Sequence, residues 1–572
     1  MSTNTNSKLI DFEIREYSLD AFKSIISSAS NAPLFALDDK EQLKYFHSYL
    51  SDADIAAQSI VVEKQYVDRD YLADYSGYYV RCFAPYQRWC TRLHFFSSKL
   101  DITNFQELLK GVPLALNSRE LQDSYLGFMV IKPLPETMIG RTCLKTYGMK
   151  NGRDYPNVRD YEVNLFGVKL RVRSLAFQEQ DSVAAACASS AIWTAFQGTG
   201  LLFQHDIPSP LAITRLAIER SPTVSRAFPA SDGLSDVQMA EAVRGVGLDP
   251  LTLLIPDNWT LAATTYAYLR SGIPIVWLGL VTEKLPIQVS LDAWLQSLGL
   301  VAPPTNPPEQ INVLPNAPCR TGGHAITLVG YRLTENNSPK PHPVTGMILK
   351  SSRIDKIYVH DDNIGAFARV EFETLRFGLA DSGNIAISDW ISCKSAAGTS
   401  GRGYVTHKVL IPLFTTIRIP FHSIFSAMMS FDRNFEVLRA NGKANFRQRV
   451  EWDIFLLSSN DYKNACLTEA TLSPQNRMET LLTPMPRYVW LANAYEGGVR
   501  KFDFVFDSTD IEQGLKLVKI VPHDVTAFDE LLQVSDVYSS DPSYAIERLS
   551  PNGKIWEHLR QLFEEKKATQ SL

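Results

Sequence analysis

The chain has 572 residues, 45% hydrophobic and 21% charged, and its 57 basic and 62 acidic side chains leave a net charge of −5. That balance is ordinary for a globular protein and excludes the strong basic field that nucleic acid or an anionic membrane surface calls for. Seven cysteines in so long a chain, with no CxxC, argue against a disulfide framework, a zinc ribbon or a thioredoxin-type motif.

At roughly 150 residues per domain the length predicts three or four domains. The first twenty residues have no basic stretch followed by an apolar core, so no signal peptide is expected. The longest apolar run, Ile273–Val281, is too short to cross a bilayer. A soluble cytoplasmic protein is the expectation, with its thiols reduced.

In chain order, 41–60 reads as helix. Tyr71–Phe96 is rich in aromatic residues and reads mainly as core, with a partner-binding surface as the alternative. Tyr125–Pro133 reads as a buried strand. Met149–Asp160 is polar, contains Gly and Pro, and reads as a linker that closes an N-terminal mixed domain at 1–165. Residues 161–175 alternate like a hairpin. Asp181–Phe196 is a small-residue helix, Ser235–Val246 a second helix capped by Ser235, and Trp259–Arg270 a third. Strands are predicted at Ile273–Val281, Ala325–Tyr331 and Ile357–His360. The Pro-rich Ala302–Pro308 reads as loop, and Thr334–Ser352 as a surface insertion and candidate lid. Ser395–Gly403 reads as a boundary, giving a middle domain at 166–395 and a C-terminal α/β or α+β domain at 404–572. Strands are predicted in the latter at 408–418, 452–458, 487–493 and 500–506, with a final helix at about 554–566.

No P-loop, strand-linked GxGxxG, HExxH or EF-hand occurs, and the ten histidines lack metal-ligand spacing. No cofactor and no metal is expected. One constellation has a coherent chemistry. Cys187 lies in AAACASSAIW, Gln180 lies upstream, His324 starts the strand in GGHAITLVGY, and Asp361 and Asp362 end the strand in IYVHDD. Thiol catalysis needs a thiolate, which a helix N-terminus and a neighbouring imidazolium both favour. It needs a third group to orient the imidazole and a donor for the oxyanion. Gly322 and Gly323 suggest close backbone approach at His324. Trp193 reads as core, His360 as structural, and the other six cysteines as buried thiols. Cys187 and His324 are 137 residues apart, within the roughly 130–150 of papain-like proteases.

Residues of about 175–375 therefore resemble a papain-like cysteine peptidase, in particular the bacteriocin-processing peptidase domain attached to some bacterial ABC exporters. The order is similar throughout: Gln, Cys on a helix, a Gly-Leu turn in AVRGVGL, the strand GIPIVWLG, Gly-His with a strand ending in Gly-Tyr, then a strand ending in Asp. The resemblance implies an α+β fold with a papain-like core and two flanking domains. It implies Cys187 as nucleophile, His324 as general base, Asp361 or its neighbour Asp362 as orienting acid, and Gln180 in the oxyanion hole. Gln180 precedes Cys187 by seven residues where the family has six, and Gln178 is a second candidate. Ala186 stands where exporter peptidases favour Asp, and the His-to-Asp separation of 37 residues is about twice the usual. A bacterial source is also implied.

The expected activity is that of a peptidase or isopeptidase acting on a protein or peptide through an acyl-thioester. The same triad serves a deamidase or a transglutaminase-like enzyme, because the acceptor is not set by the triad. A non-catalytic binding protein with a papain-like core is the third reading. The flanks would meet the substrate or a protein partner. No nucleic acid and no membrane partner is expected.

Overall fold

The structure is a computed structural model. It describes residues 12–112, 117–181, 187–220, 233–282, 321–378, 385–393, 403–444, 446–512, 514–540 and 553–570. The fold is α+β. Among the described residues no helix is long and apolar enough to cross a membrane. The predicted loop at 302–308, the boundary at 395–402 and Cys319 lie outside the described residues.

The chain divides into two compact units. The first holds 1–257, 272–331 and 356–412, and the second 258–271, 332–355 and 413–572. The first unit contains an antiparallel five-stranded sheet in sequence order: Glu13–Glu16, Ser59–Tyr66, Cys90–Phe96, Tyr125–Ile131 and Ile139–Leu144. Every residue of Tyr125–Ile131 is buried, which is why it reads as an unbroken apolar run. The predicted helix over 41–60 stops at Leu50. Ala56 then takes φ of 51°, which turns the backbone, and the β-branched run at Ile60–Val62 enters the sheet instead.

The same unit holds a second sheet. Six strands follow one another by hydrogen bonding: Val276–Thr282, Thr321–Leu333, Ile354–Asp361, Gly365–Gly378, Ile385–Cys393 and Gly403–Leu413. The last pairs back with the first and closes the ring. Asp249–Leu254 and the two-residue Arg153–Asp154 pair outside the ring. The predicted hairpin is the pair Arg159–Leu165 and Val168–Ser174. The helix Asp236–Gly245 carries the expected Ser235 cap, with Gln238 closing a capping box.

Three organisational expectations differ. The stretch 149–160 is not a linker. Arg153–Asp154 pairs with the strand Thr321–Leu333, and buried Asn157 donates from Nδ2 to the Leu328 carbonyl at 2.8 Å. The Asn157 amide serves the backbone of a strand rather than water. Residues 1–165 share a unit with most of the predicted middle domain, whose stretches 258–271 and 332–355 belong to the other unit. Nor is 334–352 a free insertion. Met347 and Leu349 are buried, Ile348–Leu349 pairs in parallel with Glu451–Ser458, and Arg353 meets Glu451 through two contacts of 2.6 and 2.8 Å.

The second unit is a five-stranded sheet ordered Ile348–Leu349, Glu451–Ser458, Tyr488–Glu496, Val499–Asp507 and Leu517–Pro522. Its core gathers Trp452, Trp490, Phe504 and Phe431, the last from the helix Phe421–Ala440, with Trp556 of the helix Gly553–Gln570 stacked on Phe431. Buried Asp432 accepts from Trp452 Nε1 at 2.8 Å and from Arg449 at 2.7 Å, so both of its carboxylate oxygens are paired.

Candidate active site

Cys187 is the first residue of the helix Cys187–Phe203 and is half-buried. Positions 188 to 199 of this helix are all buried, so it runs through the interior of its unit. Small side chains permit that close packing. The Thr327 hydroxyl, on the strand that carries His324, donates to the Ala191 carbonyl at 2.7 Å and fastens helix to strand. The first N–H groups of a helix have no partner within the helix, and the helix dipole places partial positive charge there. Cys187 stands at that end.

His324 is buried, and the Cys187 side chain is among the groups that raise its pKa. Its Nε2 lies 2.9 Å from Asp361 Oδ1 and 3.4 Å from Asp362 Oδ1, with the Asn363 amide nitrogen at 3.3 Å. The His324 backbone is held as well. It pairs with Gly279 across the sheet, and its carbonyl lies 2.8 Å from the Tyr404 hydroxyl, which shares its one proton with the Trp277 carbonyl at 2.9 Å.

The acid turn explains why two adjacent carboxylates behave differently. Asp361 Oδ1 accepts from the Asn363 N–H at 2.9 Å, and the Asp361 carbonyl accepts from the Ile364 N–H at 2.9 Å. This is an Asx-type turn, and it aims Asp361 at the imidazole. Neither carboxyl oxygen of Asp362 accepts a hydrogen bond among the described residues. Burial pushes the Asp362 carboxyl up to about 7, with His324 opposing and the Asp361 charge reinforcing the shift. Burial alone would lower the His324 pKa, but the charges of Asp361 and then Asp362, the hydrogen bond to Asp361 and lastly Cys187 raise it well above its ordinary 6.5.

His324, Asp361 and Asp362 offer donor atoms within 4.8 Å of one another, a spacing that would also admit a cation. The 2.9 Å contact from Nε2 to Asp361 is nonetheless of direct hydrogen-bond length.

Gln180 is half-buried on the segment leading to the helix, and its side chain makes no hydrogen bond to another described residue. Residues 182–186 lie outside the described residues. Gln178 is buried. Gly323 is exposed, and a Cβ there would meet no atom within 4 Å, so the expected close approach is not at Gly323. It is at Gly330, at the other end of the same motif, where a Cβ would lie 2.4 Å from the Asp154 carbonyl oxygen. Trp193 is core and His360 is buried against Phe177 and Phe367.

Of the other thiols, Cys90, Cys143 and Cys466 are buried as expected, and burial pushes Cys143 up to about 12 and Cys466 up to about 11. Cys82 is half-exposed rather than buried. The aromatic stretch is mixed: Tyr71 and Tyr79 are core, while Phe83 is fully exposed. Asn363, Tyr404, Glu179 and Gln42 were not among the predicted site residues. Only Asn363 had a local signal, the Asp-Asp-Asn run that favours such a turn. Comparison of the sequence with protein-family models and with curated proteins finds no match.

Proposed function

We propose that the protein is a thiol-dependent amide hydrolase with a papain-like core, acting on a protein or peptide. One observation carries this reading. A half-buried cysteine stands at the start of a buried helix and acts electrostatically on a buried histidine, whose Nε2 is 2.9 Å from a buried aspartate. With Nε2 engaged by Asp361, Nδ1 is the nitrogen left to exchange a proton with the thiol.

The Cys187 thiolate attacks the amide carbonyl carbon, and the electron pair moves to the carbonyl oxygen. The backbone N–H of Cys187 stabilises that oxyanion, with Gln180 as the candidate second donor. Protonated His324 gives its proton to the departing amine as the C–N bond breaks, leaving an acyl-thioester. His324 then takes a proton from water, whose hydroxide adds to the thioester carbonyl; collapse breaks the C–S bond, releases the acid and restores the Cys187 thiolate beside protonated His324. Asp361 holds the ring in one orientation and stabilises the imidazolium. An amine in place of that water would give a transferase outcome on the same residues.

The test is labelling by a cysteine-directed electrophile with mass mapping, on wild type and His324→Ala. Fast labelling at Cys187 that falls by about tenfold or more in the variant supports the reading. Labelling that ignores His324, or that favours Cys82, overturns it.

A further inference from the structure

Gln42 belongs to the helix Glu41–Leu50, far in sequence from every residue of the site. Its Nε2 donates to the Asp362 carbonyl at 3.0 Å, and the same nitrogen lies 3.5 Å from Glu179 Oε1. An amide nitrogen has two protons, so both bonds form at once. The first bond holds the acid turn. The second holds the residue next to Gln180.

Glu179 is itself fixed. It pairs with Lys40, one residue before the helix, and its Oε2 accepts from the Ile139 N–H at 3.1 Å. The Lys40 ammonium also donates to the Glu136 carbonyl at 2.9 Å. One turn further along the helix, the Tyr45 hydroxyl donates to the Ala366 carbonyl at 2.7 Å, at the other end of the acid turn. The helix thus grips the turn at two points, and at one of them it also grips the segment that enters the Cys187 helix.

We propose that Gln42 is a positioning residue of this site, whose amide sets the acid turn against the Gln180 segment and so keeps Asp361 rather than Asp362 on His324. The inference rests on the thiol-hydrolase reading. The alternation is a matter of one residue: Asp362 Oδ1 already lies 3.4 Å from Nε2. A small slip of the turn exchanges a carboxylate held by the Asn363 N–H for one that accepts no hydrogen bond among the described residues. The N-terminal region is on this view part of the catalytic apparatus and not only a recognition flank.

The experiment uses the full chain and the alkylation of Cys187 by iodoacetate across pH. This anionic reagent reacts fastest while the imidazolium is present, so the decline at high pH reports loss of the His324 proton. In Gln42→Ala the rate near neutral pH falls roughly three- to tenfold, as expected for one or two lost hydrogen bonds. The alkaline decline moves to lower pH, because His324 holds its proton less firmly. Gln42→Glu keeps the shape but turns a donor into an acceptor facing a carbonyl and Glu179, and it slows alkylation at least as much. A side chain that merely filled space would be replaced by Glu without effect. Profiles of both variants that superimpose on a fast wild type overturn this inference alone. A wild-type Cys187 no faster than Cys82 overturns the hydrolase reading and this inference together.

Discussion

His324 Nε2 and Asp361 Oδ1 stand 2.9 Å apart, and both side chains are buried. The neighbouring Asp362 is equally buried yet accepts no hydrogen bond among the described residues. The two carboxyls therefore respond differently to the same substitution. Asp361→Asn is expected to slow alkylation and any amide turnover by about a hundredfold or more, since the ring loses its orienting charge. Asp362→Asn, which replaces one neutral buried group by another at pH 6, is expected to change the rate less than about fivefold. Equal losses in the two variants would refute the assignment of Asp361.

The same pair makes stability depend on pH. Asp362 is pushed up to about 7 in the folded chain, against an ordinary 3.8. Between those values the folded state holds a proton that the unfolded state has released, so stability falls as pH rises through about 7. His324 acts in the same direction at higher pH. Its contribution is complete below the ordinary 6.5 and is lost as pH rises through its raised value. Urea midpoints at pH 5 and pH 8 measure the sum. Asp362→Asn removes the first part and flattens the curve. A variant with the wild-type slope would contradict the assignment.

Gly365 ends the acid turn with φ of +151°, and a Cβ there would lie 2.4 Å from Cδ1 of Tyr45. Gly365→Ala is expected to cost about 1–3 kcal/mol through backbone strain and overpacking. It also displaces the helix that bears Gln42. A lowered melting temperature together with slower alkylation is the expected result, and an unchanged melting temperature would show that the turn is looser than the geometry requires.

The spacing of His324, Asp361 and Asp362 would admit a cation. Direct pairing of Nε2 with Asp361 predicts that a chelator such as EDTA leaves the Cys187 alkylation profile unchanged. A profile altered by EDTA and restored by a divalent metal would show that the three residues hold an ion.

Much of the site is legible locally because its chemistry is carried by short motifs. Cys187 among small residues and His324 before an apolar strand announce themselves, and so does the strand that ends at Asp361. The C-terminal strands are legible for the same reason, since Trp452, Trp490 and Phe504 lie in apolar runs. Other parts depend on distant partners. The polarity of 149–160 suggests solvent, yet Asn157 spends its amide on the Leu328 carbonyl. The strand Gly365–Gly378 escaped prediction. Residues 365 to 368 are all buried, so the alternation that marks a half-buried strand is absent there. Gln42 has no local signal whatever. Its meaning depends on a carbonyl 320 residues away.

The chain passes between its two compact units five times, after residues 257, 271, 331, 355 and 412. This has a consequence for synthesis. The helix Asn258–Leu269 leaves the ribosome early, but Tyr266 bonds Asp453 and Tyr268 bonds Phe421 in the finished unit. At roughly 5–20 residues per second, its apolar face waits about ten to forty seconds for its cover. No single cut yields either unit whole, so a tag or truncation placed between them strands pieces of both. The nascent protein is expected to lean on chaperones until its last third has been translated.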